Sequence, residues 1–67
     1  GPNKSEFLEI NIPPQWIIPI YESGYTNKDL LLEAKPTAVH QKLNGYRKKN
    51  KLDIPAILLE EVQSWFK

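Results

Sequence analysis

The residue types that could perform catalytic or metal chemistry are sparse in this chain. It has one histidine, His40, and no cysteine. A histidine with no carboxylate or thiolate at ligand spacing forms neither a metal site nor a proton relay, so we interpret His40 as a surface or boundary side chain. The serines and threonines have turn, cap or surface explanations, and none lies in a nucleophile motif. We therefore expect no enzymatic activity, no cofactor, no metal and no small-molecule substrate.

A basic cluster between residues 42 and 51 is one candidate binding site. Its members are Lys42, Tyr46, Arg47, Lys48, Lys49 and Lys51. The cations could contact nucleic-acid phosphates while the tyrosine stacks on a base. They could instead form a solvated helix end, where the helix dipole favours positive charge, or face an acidic protein. A net charge of +1 excludes the strong overall field of a general polyanion binder, so any nucleic-acid contact must be local.

Aromatic and aliphatic side chains form a second candidate site. Most of them must be core, because a small chain without disulfides depends on bulky fillers. The run from Trp16 is nevertheless too apolar for one amphipathic helix, so some of Phe7, Trp16, Ile18 and Phe66 should remain exposed. Exposed aromatics on a domain commonly mark a contact with another protein or domain. We predict Trp16, Ile18 and Phe66 as the partner-binding anchors.

The length limits the domain organisation. A chain of 67 residues buries one small core. Gly1-Pro2 is typical of a protease scar, and we expect residues 1–6 to be this tag scar and a flexible entry. Residues 7–67 would then be a single helical domain excised from a longer protein. No apolar run approaches the ~20 residues that span a bilayer, and the lack of cysteine fits an intracellular chain, cytoplasmic or nuclear, with no membrane contact.

Proline and glycine divide the first third of the chain into short elements. Residues 7–12 favour an extended arm or a short helical turn packed on the domain. Pro14 favours a helical turn, which should break or restart at Pro19, so the first helix is expected to be divided. Gly24 follows this helix at a position that suits a left-handed backbone.

Two further helices are predicted before residue 50. Thr26, with Asp29 three residues later, predicts a capping box at the start of a helix over residues 27–34. Pro36 ends that helix and begins the next one, whose apolar side is Val39, Leu43 and Tyr46. Gly45 lowers helix propensity, so we expect fraying beyond Tyr46.

The C-terminal segment predicts the last helix. Asp53 and Pro55 mark its start, because proline suits the first helical turn. Its buried stripe would consist of Leu58, Val62 and Trp65, widened by Ile54 and Ile57. The predicted fold is all-α, a compact bundle of four to five short helices.

Three phrases of the sequence point to a family. The first is Ile20-Tyr21-Glu22-Ser23-Gly24-Tyr25-Thr26, the second Ala34-Lys35-Pro36, and the third runs from Leu52 to Trp65. Together they resemble the paired hairpins and closing helix of helix-hairpin-helix and SAM-like domains, notably the recombinase amino-terminal type and bacterial paired-hairpin domains of unknown function. The resemblance covers about two thirds of the chain and implies a helix-hairpin-helix/SAM-like bundle.

The hairpins depart from the DNA-binding members of that group. Those members approach phosphate with a Gly-x-Gly backbone at a helix amino terminus. The matching segment here, residues 11–15, has two prolines and no glycine, and the second hairpin carries Asp53. The leading hypothesis is therefore a non-enzymatic module that docks a protein partner or a neighbouring domain. The alternative is an accessory nucleic-acid-binding domain that contacts the phosphate backbone through the 42–51 cluster.

Overall fold

The computed structural model describes residues 3–67, and Gly1 and Pro2, with the protease-scar interpretation placed on them, lie outside that range. The described chain contains five α-helices and a 3-10 turn, and no strand occurs within it. The helices are α1 (Lys4–Leu8), α2 (Ile17–Glu22), α3 (Lys28–Glu33), α4 (Pro36–Lys49) and α5 (Leu59–Ser64), and the 3-10 turn is Pro14–Trp16. The predicted all-α class is confirmed.

The core lies where α4 packs against α2 and α5. On α4 the buried residues are Val39 and Leu43, which are four positions apart and so share one face. One buried cluster combines every helix and the loops between them: Phe7, Ile12, Trp16, Ile17, Ile20, Tyr25, Leu31, Val39, Leu43, Ile57, Val62 and Trp65. No helix in residues 3–67 has the length and apolarity needed to cross a membrane.

Three helices end in the same hydrogen-bonded motif. After α2, Gly24 has a φ of 105° and donates to the carbonyl of Tyr21 at 3.1 Å, while Tyr25 donates to Ile20 at 3.2 Å. These paired bonds with a left-handed residue define the Schellman motif, and they confirm the prediction for Gly24. Asn11 after α1 and Lys51 after α4 take the same left-handed position.

The divided first helix is confirmed, because the 3-10 turn passes directly into α2. Pro19 is the third residue of α2, where the helix does not use its missing amide proton. The expected flexible entry over residues 3–6 is replaced by α1, whose N-cap Asn3 accepts a bond from the Glu6 amide. Glu6 in turn accepts from the Lys28 amide at 2.9 Å, which joins α1 to the first turn of α3.

The predicted capping box at Thr26 is wrong. The N-cap of α3 is Asn27, whose side-chain oxygen accepts from the Leu30 amide at 2.8 Å. Asparagine is at least as good a cap as threonine, and the helix begins one residue later when Asn27 takes that role. The predicted helix over residues 27–34 is otherwise confirmed.

Two expectations about the C-terminal half are also wrong. Instead of fraying beyond Tyr46, α4 continues to Lys49, and Asn50 donates to the Tyr46 carbonyl at 3.0 Å. The last helix begins at Leu59 instead of near Pro55. Because residues 52–58 are not helical, the predicted helical stripe does not apply to them, and Leu58 is 65% exposed.

Candidate nucleic-acid interface

Four exposed lysines lie between the middle of α4 and the turn that follows it. We define the basic surface as Lys42, Lys48, Lys49 and Lys51, all of which are exposed. The ion pair found within residues 3–67 joins Lys28 and Glu9 at 3.8 Å, on other elements. No carboxylate in the described chain therefore pairs with a cation of the basic surface.

Charge is segregated along the chain. Residues 34–52 contain six of the nine Lys and Arg residues and none of the eight Asp and Glu residues. The remainder of the chain is acidic as a consequence. The small net charge thus results from two opposed regions, and the positive one coincides with α4 and the turn that follows it.

The turn after α4 fixes Lys51 in an unusual backbone conformation. Lys51 has a φ of 52°, and its amide donates to the carbonyl of Lys48 at 3.2 Å. Leu52 donates to Arg47 at 3.0 Å, which completes the Schellman motif. A left-handed conformation costs a residue with a Cβ about 1–2 kcal/mol, and glycine avoids that cost. The lysine at this position therefore adds a cation to the basic surface where glycine would be more stable.

Arg47 has a structural role that the basic-cluster prediction did not include. Its side chain is half-buried, and Nε donates to the carbonyl of Ile54 at 2.6 Å. This bond attaches residues 52–58, hereafter the C-terminal strap, to α4. Arg47 therefore differs from its lysine neighbours, and we exclude it from the basic surface.

Asn44 makes the second attachment of the C-terminal strap. Its Oδ1 accepts from the Ile57 amide at 2.9 Å, and its Nδ2 donates to the Ile57 carbonyl at 3.0 Å. His40 Nε2 lies 3.0 Å from the same carbonyl and donates to it in the Nε2–H tautomer. His40, Asn44 and Arg47 are spaced four and three apart, so one face of α4 supplies all three side chains.

An apolar groove lies between α2, α4 and the C-terminal strap. It has a volume of about 240 Å³ and is lined by Gln15, Ile18, Pro19, Tyr46, Leu52, Asp53 and Ile54. Tyr46, in its wall, is half-buried. The basic surface adjoins the groove along the chain, because Lys48, Lys49 and Lys51 fall between two lining residues, Tyr46 and Leu52.

The three predicted protein anchors differ in exposure. Trp16 is only 3% exposed and belongs to the core, so its assignment as a partner-binding anchor is corrected. The 3-10 turn directs this side chain inward against the other large core residues. Ile18 is 48% exposed and lines the groove, whereas Phe66 is half-buried and packs against the core.

Lys42 lies four positions before Tyr46 and seven positions before Lys49, so the three residues share one face of α4. Its Nζ lies 5.3 Å from the centre of the Tyr25 ring, within the range of a cation–π contact. A tyrosine hydroxyl is already neutral at physiological pH, and burial raises the pKa of Tyr25 further above its usual 10.0. The contact orients Lys42 without neutralising its charge.

The sequence contained one signal for the clamp between α4 and the C-terminal strap. Asparagine is unfavourable inside a helix because its side chain competes for main-chain groups. Asn44, in the middle of a long helix, uses that capacity on Ile57 in another segment. The partner could not be predicted, because the sequence predicts that the last helix begins near Pro55 and so includes Ile57.

In residues 3–67, no group of three or more His, Cys, Asp or Glu side chains is placed to hold a metal ion. The one histidine contacts a main-chain carbonyl and Asn44. The described residues do combine exposed positive charge with an adjoining apolar groove.

Comparison with known proteins identifies relatives for nearly the whole chain. It is 34% and 32% identical, over 62 residues in each case, to the lysine–tRNA ligases of two strains of Porphyromonas gingivalis. The match covers 92% of this chain but only 11% of each ligase. No protein-family model and no solved structure matches the chain significantly. The chain is thus similar to a small part of these ligases.

Proposed function

We propose that this chain is a non-catalytic accessory domain of a larger protein similar to lysine–tRNA ligase, and that its basic surface contacts the phosphate backbone of RNA. The observation that carries the proposal is the unpaired positive charge around the end of α4. The similarity of the chain to ligases whose name includes tRNA makes RNA the polyanion to test first. His40 supports a non-catalytic role, because its ring is engaged in holding the C-terminal strap.

The helix dipole explains only part of the charge. The C-terminus of an α-helix carries the equivalent of about half a negative charge, and a single cation complements it. Here Lys48, Lys49 and Lys51 cluster at that terminus, with Lys42 two turns before it. Mutual repulsion among these cations costs free energy unless an anion lies nearby. A phosphate backbone supplies such anions at regular spacing.

The proposal concerns backbone contact without sequence specificity. Lysine is a flexible point charge, which suits phosphate and carries little information about base identity. We therefore expect similar affinities for RNAs of different sequence, and a steep loss of affinity with salt. Each phosphate neutralised contributes a slope of about −0.7 to −0.9 to the plot of log affinity against log salt.

The test is fluorescence anisotropy with a labelled tRNA transcript between 50 and 200 mM salt. Lys49→Glu should weaken binding about tenfold and reduce the salt slope by about one. The matched control is Lys4→Glu, which makes the same charge change at an exposed position of α1 and should leave affinity within about twofold. Equal losses for both variants, or no binding by the wild-type chain at low salt, would refute the proposal.

A second candidate function is docking on another domain of the larger protein. The observation that favours it is Ile18, an apolar side chain that is half-exposed beside a groove. Such an apolar contact should change little with salt, in contrast to phosphate binding. Binding of this chain to the remainder of its full-length protein in trans, retained at high salt and lost in Ile18→Asp, would favour docking.

A further inference from the structure

The apolar groove has no assigned occupant and adjoins the basic surface. We infer that it receives one unpaired base of a single-stranded RNA segment whose phosphates lie on the basic surface. This inference rests on the proposed RNA contact and deepens it, because it names single-stranded RNA, with a base turned away from its neighbours, as the ligand class.

The size and lining of the groove fit a single ring system. Pockets for larger organic ligands have volumes of roughly 300–1,000 Å³, and this groove has about 240 Å³. Its apolar lining comes from Ile18, Pro19, Leu52 and Ile54. An unpaired base has two apolar faces that such a surface can cover, whereas a paired base in a duplex cannot reach it.

Tyr46 supplies the aromatic contact. This residue lines the groove, and it shares a face of α4 with Lys42 and Lys49. Bases stack on aromatic side chains irrespective of sequence, so the contact does not require a particular base. This geometry places a stacking surface between cations that can hold the phosphates on either side of the base.

The polar residues of the groove indicate which part of the nucleotide enters. Asp53 lines it, and a carboxylate repels a phosphate while it accepts hydrogen bonds from the donor edge of a base. Gln15, also in the lining, can both donate and accept. An acidic peptide would place further carboxylates near Asp53, so the lining favours a neutral base over such a peptide.

The experiment compares a labelled twelve-nucleotide adenosine RNA with an abasic oligonucleotide that has the same phosphates. We expect the wild-type chain to bind the adenosine RNA about tenfold more tightly. Tyr46→Leu should abolish this difference, and Tyr46→Phe should retain it because the ring is preserved. The matched control is Tyr21→Leu, which removes another half-buried tyrosine ring, on α2, and should preserve the difference.

The outcomes separate this inference from the proposed function. Equal affinity of the wild-type chain for both oligonucleotides, with a steep salt slope, would overturn the base site and leave backbone contact intact. Binding of neither oligonucleotide at low salt would overturn both. A second measurement does not depend on the folding of variants: intermolecular nuclear Overhauser effects from a base to the Ile18 methyls support the inference. The inference would be refuted if an acidic peptide gave nuclear Overhauser effects to these methyls and no RNA base did.

Discussion

Asn44 shows how a single side chain can determine the path of a whole segment. Its amide group bonds both the N–H and the C=O of Ile57, as a neighbouring peptide group would do. The strap therefore satisfies part of its main-chain hydrogen bonding through α4 and does not need to be helical. Pro55 also disfavours a helix in the strap, because the residue before a proline avoids helical geometry.

We predict that Asn44→Ala lowers the free energy of unfolding by about 2 kcal/mol. Two hydrogen bonds are lost, and the partly buried amide of Ile57 is left without a protein partner, while its carbonyl keeps only the contact with His40. Urea denaturation followed by circular dichroism measures the change. Asn50→Ala is the control, because it removes one exposed bond to the carbonyl of Tyr46 and should cost less than about 1 kcal/mol. Equal losses would contradict the clamp.

At the scale of elements, the sequence predicted what depends on local chemistry. Pro19, Gly24 and Pro36 act on their own turns, so the divided first helix, the left-handed turn and the start of α4 could be predicted. The interior of the strap could not, because its conformation depends on side chains of α4 up to seventeen residues away. Sequence reasoning could equally have chosen Asn27 as the cap of α3, because asparagine and threonine both cap helices well.

The same distinction applies to the candidate site. The exposed lysines follow from composition and position, because charged residues at a helix end are seldom buried. The inward direction of Trp16 and the bond from Arg47 to Ile54 depend on packing between elements. The resemblance to helix-hairpin-helix and SAM-like domains remains a prediction, and the all-helical fold is compatible with it.

The end of α4 provides a prediction in which stability and binding change in opposite directions. Lys51→Gly should raise the free energy of unfolding by about 0.5–1 kcal/mol, since glycine adopts the left-handed conformation without strain. The same change should weaken RNA binding several-fold, because it removes one cation from the basic surface. Thermal unfolding and anisotropy measure the two effects.

Lys48→Gly is the control for that prediction. It removes the same charge within α4, where glycine costs up to about 1 kcal/mol relative to a good helix former. RNA binding should therefore weaken in both variants, while stability moves in opposite directions. A destabilised Lys51→Gly chain would show that the turn imposes no strain on the lysine.

At the scale of the whole molecule, a domain with one small core carries a basic region and an acidic region. The Cα radius of gyration is 10.7 Å, close to the ~11 Å expected for a compact domain of this length. The molecule extends 26 × 25 × 17 Å, only about two to three times the ~10 Å screening length of 0.1 M salt, so the acidic region partly offsets the basic one at long range. RNA binding should therefore depend on the local positions of the charges more than on the net charge.

A charge-exchange variant tests this dependence. The variant carries Lys48→Glu and Lys49→Glu together with Glu22→Lys and Glu33→Lys. Its formal net charge remains +1, while positive charge moves from α4 to the ends of α2 and α3. All four positions are exposed, and the new lysines lie at helix C-termini that favour cations, so the fold should be retained. We expect tRNA affinity to fall more than tenfold and the salt slope to decrease by about two.

The matched control carries only Glu22→Lys and Glu33→Lys, and it should bind tRNA at least as tightly as the wild-type chain. Circular dichroism of all variants checks that the helices persist. If the charge-exchange variant bound tRNA with wild-type affinity and slope, net charge alone would account for binding, and the basic surface would have no specific role. Loss of binding in the control would likewise contradict the placement of the site on α4, because that variant leaves every lysine of the basic surface in place.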